Sequence, residues 1–138
     1  MALIVGGLLA LLVGFMATAV GLDRDRALYP AVTMVVASYY VLFAAMGAST
    51  GTLALESVAG AAFVIAAVVG FRSSLWIVVA ALAGHGVFDL GHHAIISNPG
   101  VPSWWPAFCS AYDITAALYL AWLIRQRTSA LEVVRRVR

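Results

Sequence analysis

The chain has 138 residues, of which 64% are apolar and only 10% are charged. Soluble domains carry about 45–50% apolar and about 25% charged residues, and a domain of this length cannot bury such an excess, because its surface must stay polar. The composition therefore excludes a soluble enzyme and a disordered chain. Its single cysteine, Cys109, also excludes an intrachain disulfide scaffold. The apolar surface of such a chain is therefore expected to face lipid.

Long apolar runs predict five membrane-spanning helices, because one span needs about 20 residues. The predicted helices cover residues 2–20, 28–46, 53–70, 75–96 and 106–124. Apolar residues surround each segment instead of forming one stripe, which is typical of helices in lipid. We therefore predict an all-α polytopic membrane protein, a bundle of five transmembrane helices that forms one domain over residues 1–138.

The first predicted helix has a competing interpretation as a signal peptide. Its last residues, Ala17-Thr18-Ala19, resemble a signal-peptidase site. A signal peptide, however, begins with basic residues and has a shorter apolar core, and no Lys or Arg precedes Arg24. We therefore expect this segment to be retained as the first span.

The basic residues predict the orientation of the chain. All eight are arginines, and they lie after the first helix, after the third helix and in the tail, residues 125–138. With five spans, these three places share one side, so the positive-inside rule puts the C-terminus in the cytoplasm and the N-terminus outside. We expect the basic cytoplasmic tail to anchor this topology. The alternative is a short interfacial helix over residues 128–138 on anionic headgroups.

Six ionisable side chains lie inside the predicted spans, where a charged group costs at least about 2.5–3.5 kcal/mol. They are Glu56, His85, Asp89, His92, His93 and Asp113. The topology brings all six, from the third, fourth and fifth helices, to the outer half of the membrane. We therefore expect them to face inward, where they contact one another, water or a metal.

The spacing on the fourth helix is typical of metal ligands. At about 100° per residue, His85, Asp89 and His92 fall within about 60° of arc. Imidazole and carboxylate together suit Zn or Fe, with Mn as a further option. The predicted ligands of this divalent metal are His85, Asp89, His92 and His93. Glu56 and Asp113 would complete the shell or act as the general base.

Each of these residues also has a structural explanation. A buried His–Asp pair can hold two helices together, and Glu56 gains from the dipole near the start of its helix. Asp113 follows Ser110 at capping-box spacing, which would suit a helix that begins late. Glycines at positions 84, 86 and 91 of the fourth helix allow neighbouring helices to approach closely. Six ionisable groups at one depth nevertheless favour a functional cavity.

Three segments carry a resemblance to a known family. They are His85-Gly-Val-Phe-Asp89-Leu-Gly-His92-His93, Asn98-Pro99-Gly100-Val101-Pro102, and Cys109 with Asp113. Together they resemble an uncharacterised family of small bacterial integral membrane proteins, a domain of unknown function. Its members have an H-x3-D-x2-H-H helix, an N-P-x-V-P loop, a C-terminal Cys–Asp element and a Glu in the preceding helix, here Glu56.

The resemblance covers residues 29–122. It implies a protein of the bacterial inner (plasma) membrane with its site at these residues, and it implies no particular activity. The family tends to have a second Cys just before the last Asp. This chain has Tyr112 there, which argues against a thiol pair as the working chemistry.

Three functions fit these residues. The first is a membrane-embedded metalloenzyme, a hydrolase or oxygenase in which the metal activates water or oxygen toward a lipid or small amphiphile. The second is a small transporter or an ion- or proton-conducting protein, which the absence of comparable residues in the inner half of the spans disfavours. The third is a non-catalytic accessory subunit that binds haem, quinone or a partner helix. Bis-His haem ligation by His85 and His92 is sterically awkward, because both lie on one helix.

The expected partners follow from the same residues. Membrane lipids surround the spans, and a homo-oligomer is a candidate assembly. The sequence has no nucleic-acid motif, so we expect no nucleic-acid partner.

Overall fold

The computed structural model describes the backbone of residues 1–136 and the side chains of residues 1–129. It contains five helices: α1 (Ala2–Val20), α2 (Leu28–Gly47), α3 (Thr50–Arg72), α4 (Leu75–Ile95) and α5 (Trp105–Arg136). All five are long and apolar enough to cross a membrane. The predicted all-α bundle of five spanning helices is therefore confirmed.

The surface of the bundle is largely apolar, and five of the six ionisable side chains of the predicted spans are buried. Leu8 is 62% exposed, Phe15 68% and Val58 72%. By contrast, Glu56 and Asp113 are among the most deeply buried side chains. This reverses the distribution in soluble proteins and fits a protein whose outer surface contacts hydrocarbon.

Helix α5 connects the two sides of the bundle. It packs along α1 on one side and along α4 on the other, while α3 contacts α4 and α2, and α2 has a smaller contact with α4. Two glycines permit the contacts of α5. A Cβ at Gly6 of α1 would collide with the carbonyl oxygen of Phe108, and one at Gly86 of α4 would lie 3.0 Å from the carbonyl oxygen of Ser110. The backbones of α4 and α5 therefore lie close enough for their side chains to meet directly.

The two ends of the bundle differ in composition. The arginine end has the loop between α1 and α2, the loop between α3 and α4, and the region of α5 around Arg127. There the Arg127 guanidinium donates two hydrogen bonds of 3.1 Å to the carbonyl oxygen of Asp23, and Arg26 donates one of 3.2 Å to that of Ser73. The tryptophan end has the loop of residues 96–104 and the start of α5 at Trp105. The membrane side that each end faces stays a prediction.

Two helices start at residues other than those that the sequence predicts. Helix α3 begins at Thr50 instead of residue 53, because the Ser49 hydroxyl caps it by accepting a 3.1 Å hydrogen bond from the amide of Thr52. Helix α5 begins at Trp105, so Asp113 lies in its third turn and not in a first turn.

At its other end, α5 continues without a break past the predicted end at residue 124, because no Gly or Pro follows Ile124. The backbone of residues 128–136 is therefore the continuation of α5, and the interfacial position suggested for residues 128–138 stays a prediction. The side chains of residues 130–138, which include three of the tail arginines, lie outside the described residues.

Candidate metal centre

Helices α4 and α5 together form a cluster of four potential metal ligands. The cluster consists of His85 and Asp89 on α4 and of Cys109 and Asp113 on α5, and we call these four residues the metal cluster. One ligand atom from each residue lies within 4.8 Å of all the others. On each helix the two residues are four positions apart and so lie on one face. The close approach at Gly86 brings these two faces together.

The hydrogen bonds inside the cluster leave several atoms without a partner. His85 Nδ1 lies 2.7 Å from Asp113 Oδ2, a hydrogen bond, but 3.6 Å from Asp89 Oδ2, too far for one. The Cys109 thiol donates a weak bond of 3.6 Å to Asp113 Oδ2. Within the described residues, Asp113 Oδ1 and both carboxylate oxygens of Asp89 are buried and have no partner. Such burial is costly unless another group binds these oxygens.

The donor set of the cluster suits a divalent transition metal such as zinc. An imidazole, two carboxylates and a thiol form a mixed N, O and S set, which fits Zn²⁺, whereas Mg²⁺ and Ca²⁺ prefer oxygen ligands alone. Fe²⁺ and Mn²⁺ also accept imidazole and carboxylate, and only a thiolate that binds the ion would favour Zn²⁺ over them. Two ligands about 2.1 Å from a tetrahedral ion are roughly 3.4 Å apart. The longest separation in the cluster, at most 4.8 Å, exceeds this by about 1.4 Å.

A second polar cluster lies nearer the tryptophan end. His92 Nε2 and Glu56 Oε1 are 2.7 Å apart, and the Asn98 amide donates to Glu56 Oε1 at 2.8 Å and to the carbonyl oxygen of Tyr40 at 3.1 Å. The Tyr40 ring stacks on that of His92 with 3.9 Å between centroids, and its centroid is 6.1 Å from that of His85. These contacts join α2, α3, α4 and the loop of residues 96–104.

The six residues singled out in the sequence thus occupy three different places. His85 and Asp89 meet Asp113 in the metal cluster, whereas Glu56 and His92 form the second cluster. His93 lies on the exposed surface of α4 and makes no hydrogen bond to another described side chain. Cys109 belonged to the Cys–Asp element of the family resemblance, but the sequence-based prediction did not include it among the metal ligands. Its spacing of four residues from Asp113, which puts both on one helical face, is the signal that identifies it.

A lateral groove lies beside the metal cluster. This pocket of about 440 Å³ is formed by residues 28–39 of α2, residues 105–112 of α5 and Leu9 of α1. Along α2 it extends from Tyr39 to Leu28, about 16 Å at 1.5 Å per residue. Cys109 is the one member of the cluster that lines the groove. The indole nitrogen of Trp105, which also lines it, has no partner among the described residues.

Apolar side chains separate the metal cluster from the arginine end. Val78 and Leu82 of α4 pack with Ala116 and Leu120 of α5 in the buried core. We call these four residues the apolar seal. No acidic or histidine side chain among the described residues lies between Asp113 and the arginine end, where Asp23 pairs with Arg127 at 3.3 Å. Acidic and histidine side chains therefore do not continue along α4 and α5 to that end, although the Tyr119 hydroxyl of α5 lies 3.1 Å from Thr18 Oγ1, which donates to Asp23.

Comparison of the chain with protein-family models, with curated proteins and with solved structures finds no match. The resemblance to a family of bacterial membrane proteins stays a prediction. The functional assignment therefore depends on the geometry of the metal cluster and of the groove beside it.

Proposed function

We propose that this integral membrane protein binds Zn²⁺ at the metal cluster and acts as a metal-dependent enzyme on an amphiphile. The observation that supports this most is the state of Asp89, whose two buried carboxylate oxygens have no partner although an imidazole, a thiol and a second carboxylate lie beside them. A structural His–Asp pair is already complete without it, because His85 bonds to Asp113 at 2.7 Å. A divalent cation gives the second carboxylate a partner and offsets its charge.

The position of each residue relative to the groove suggests its role. Catalytic zinc sites have three protein ligands and one open position, and only Cys109 lines the groove. We therefore assign His85, Asp89 and Asp113 as the ligands that hold the metal. Substrate would approach the metal from the groove, on the side where Cys109 lies. When bound, Zn²⁺ supplies a Lewis acid and lowers the pKa of a coordinated water.

The substrate class follows from the groove. Its walls are mostly apolar, and it runs beside α2 for about 16 Å, which suits one hydrocarbon chain lying along the bilayer normal. At the tryptophan end, the Trp105 indole N–H is free to donate to a polar headgroup. An amphiphile with one chain would thus place the first atoms after its headgroup next to Cys109.

Metal titration tests the binding part of the proposal. The purified full chain, stripped with a chelator and dialysed against Zn²⁺, should retain one ion per chain by elemental analysis. Asp89→Asn and His85→Ala should retain none, and His93→Ala, which changes an exposed histidine of the same helix, should retain one. A wild-type chain that takes up no stoichiometric Zn²⁺ would show that the metal proposal is wrong.

Cobalt replacement tests the open position and the substrate class. Co²⁺ in the cluster should give a visible spectrum that an alkyl hydroxamate with a long chain perturbs at lower concentration than acetohydroxamate, which has the same chelating group and no chain. Ala31→Trp, which adds bulk to the groove wall, should abolish this difference and keep the metal. Cys109→Ala should also keep the metal. If Cys109→Ala loses it as fully as Asp89→Asn, the site is a closed structural one.

The other two functions suggested by the sequence are less well supported. Between the metal cluster and the arginine end, α4 and α5 have no acidic or histidine side chain among the described residues, so they offer no series of charged groups for a transported ion. For haem, His85 and His92 bond to different carboxylates, Asp113 and Glu56, in separate clusters. Neither arrangement favours transport or haem binding over metal-dependent catalysis.

A further inference from the structure

A second pocket lies at the arginine end, far from the metal cluster. It has a volume of about 430 Å³ and is formed by the loop between α1 and α2, the loop between α3 and α4, the start of α4 and the region of α5 around Arg127. We call it the arginine-end pocket. Two guanidinium groups, Arg26 and Arg127, line it together with the hydroxyl-bearing Tyr29 and an apolar wall that includes Leu123 and Ile124.

The charges around this pocket do not cancel. Arg127 is paired, since both of its terminal nitrogens donate to the carbonyl oxygen of Asp23 and one lies 3.3 Å from the Asp23 carboxylate. Arg26 has no acidic partner among the described residues. One of its terminal nitrogens donates to the carbonyl oxygens of Gly70 and Ser73 at 3.4 Å and 3.2 Å. Its remaining donors make no bond to described residues, so the lining has a net positive charge.

Two further observations indicate a ligand. Tyr29 is 7% exposed, and its hydroxyl has no partner within the described residues, although a buried tyrosine hydroxyl usually has one. Arg26 has φ of 69°, in the left-handed region that residues other than glycine rarely adopt. The fold therefore maintains an unfavourable backbone conformation at the residue that supplies the free charge, as is common at binding sites.

We infer that the arginine-end pocket binds the headgroup of an anionic phospholipid. The Arg26 guanidinium has the geometry to bind a phosphate through two hydrogen bonds, and the Tyr29 hydroxyl is free to donate a third. The apolar wall beside them suits the first carbons of the acyl chains. Basic pockets between transmembrane helices are known binding sites for anionic headgroups. This inference is independent of the metal proposal.

Lipid binding to the full chain in detergent tests the inference, with native mass spectrometry used to count bound lipids. Phosphatidylglycerol should occupy one high-affinity site per chain, and phosphatidylcholine should bind more weakly. Arg26→Gln should lower the affinity for phosphatidylglycerol about fivefold, the usual contribution of one arginine near anionic lipid. Tyr29→Phe, which removes one unpartnered hydroxyl and leaves the ring, should lower it about fivefold as well.

The matched control is Arg72→Gln, because Arg72 is an exposed arginine at the same end that does not line the pocket. Its affinity for phosphatidylglycerol should equal that of the wild type. Equal loss in Arg72→Gln and Arg26→Gln, equal binding of the two lipids, or an unchanged Tyr29→Phe chain would overturn the inference. Displacement of phosphatidylglycerol by inorganic phosphate at millimolar concentration would identify a free anion, and not a lipid, as the ligand.

Discussion

Substituting Gly86 by alanine tests whether the contact between α4 and α5 holds the metal cluster together. A Cβ at this position would lie 2.9 Å from Cγ1 of Ile114 and 3.0 Å from the carbonyl oxygen of Ser110, whereas ordinary contacts begin at 3.4 Å. The Ile114 side chain can rotate away. The carbonyl of Ser110 belongs to the backbone of α5, so the two helices must move apart by about 0.4 Å.

The size of both effects follows from this displacement. Overpacking costs about 1–3 kcal/mol, and alanine gains about 1 kcal/mol over glycine inside a helix, so the net loss of stability should be at most about 2 kcal/mol. Metal–ligand distances, in contrast, must hold within about 0.2 Å. Because α4 and α5 each supply two of the clustered residues, we expect zinc affinity to fall at least tenfold, about the effect of losing a group that orients a ligand.

Gly84→Ala is the control, two residues away on the same helix. A Cβ there would have Phe63 Cε1 at 3.9 Å as its nearest neighbour, an ordinary contact. This variant should keep the zinc affinity of the wild type and gain up to about 1 kcal/mol of stability. Competition with a chromophoric chelator gives the affinities, and thermal unfolding in detergent gives the stabilities. Equal zinc affinity in Gly86→Ala and Gly84→Ala would refute the proposed role of the helix contact.

Three further substitutions test one residue each in the metal cluster, in the second polar cluster and on the exposed surface. In metal-free protein, Asp89→Asn should raise the free energy of unfolding by about 1–3 kcal/mol, because it removes a buried carboxylate that has no partner; a lower thermal midpoint would contradict this. Glu56→Ala should cost about 3–5 kcal/mol, because His92 and Asn98 lose their shared partner. The folded fraction should still bind one Zn²⁺ by elemental analysis, and loss of that ion would mean that the clusters are not separate. His93→Ala should change the thermal stability by less than about 0.5 kcal/mol, since its side chain is exposed, and a larger change would assign His93 a role in the fold.

Hydropathy predicted the number of spans but not all of their ends, because it reports contact with lipid and not the continuation of a helix. At α5 the apolar run ends near Ile124, yet the backbone remains helical to Arg136, since the polar residues that follow are compatible with a helix. At α3 the start depends on one hydroxyl, that of Ser49, and on its bond to the amide of Thr52. Such a cap leaves almost no trace in an average over about 20 residues.

Helical periodicity placed His85, Asp89 and His92 on one face of the fourth helix, and all three are buried in the structure. Their partners depend on how α4 is rotated against its neighbours, which a single sequence does not encode locally. His85 thus meets Asp113 of α5, whereas His92 meets Glu56 of α3.

The same limit applies to the glycines of the fourth helix. Of the three, Gly86 is the one at which a Cβ would press on α5, whereas a Cβ at Gly91 would meet only Ile95 of its own helix. The glycines in the sequence show that a neighbouring helix can pack closely against this helix. Only the assembled bundle shows at which turn the close contact occurs.

The apolar seal has a consequence for the side from which metal ions reach the metal cluster. Because Val78, Leu82, Ala116 and Leu120 pack in the buried core on the arginine side of the metal cluster, α4 and α5 offer no acidic or histidine side chain among the described residues through which an ion could reach it from the arginine end. If the proposed metal enters from the tryptophan end, the compartment there sets the metal content of the cluster. In the predicted orientation that compartment is outside the cytoplasm. The protein would then bind its metal after it has been inserted into the membrane, from ions outside the cytoplasm.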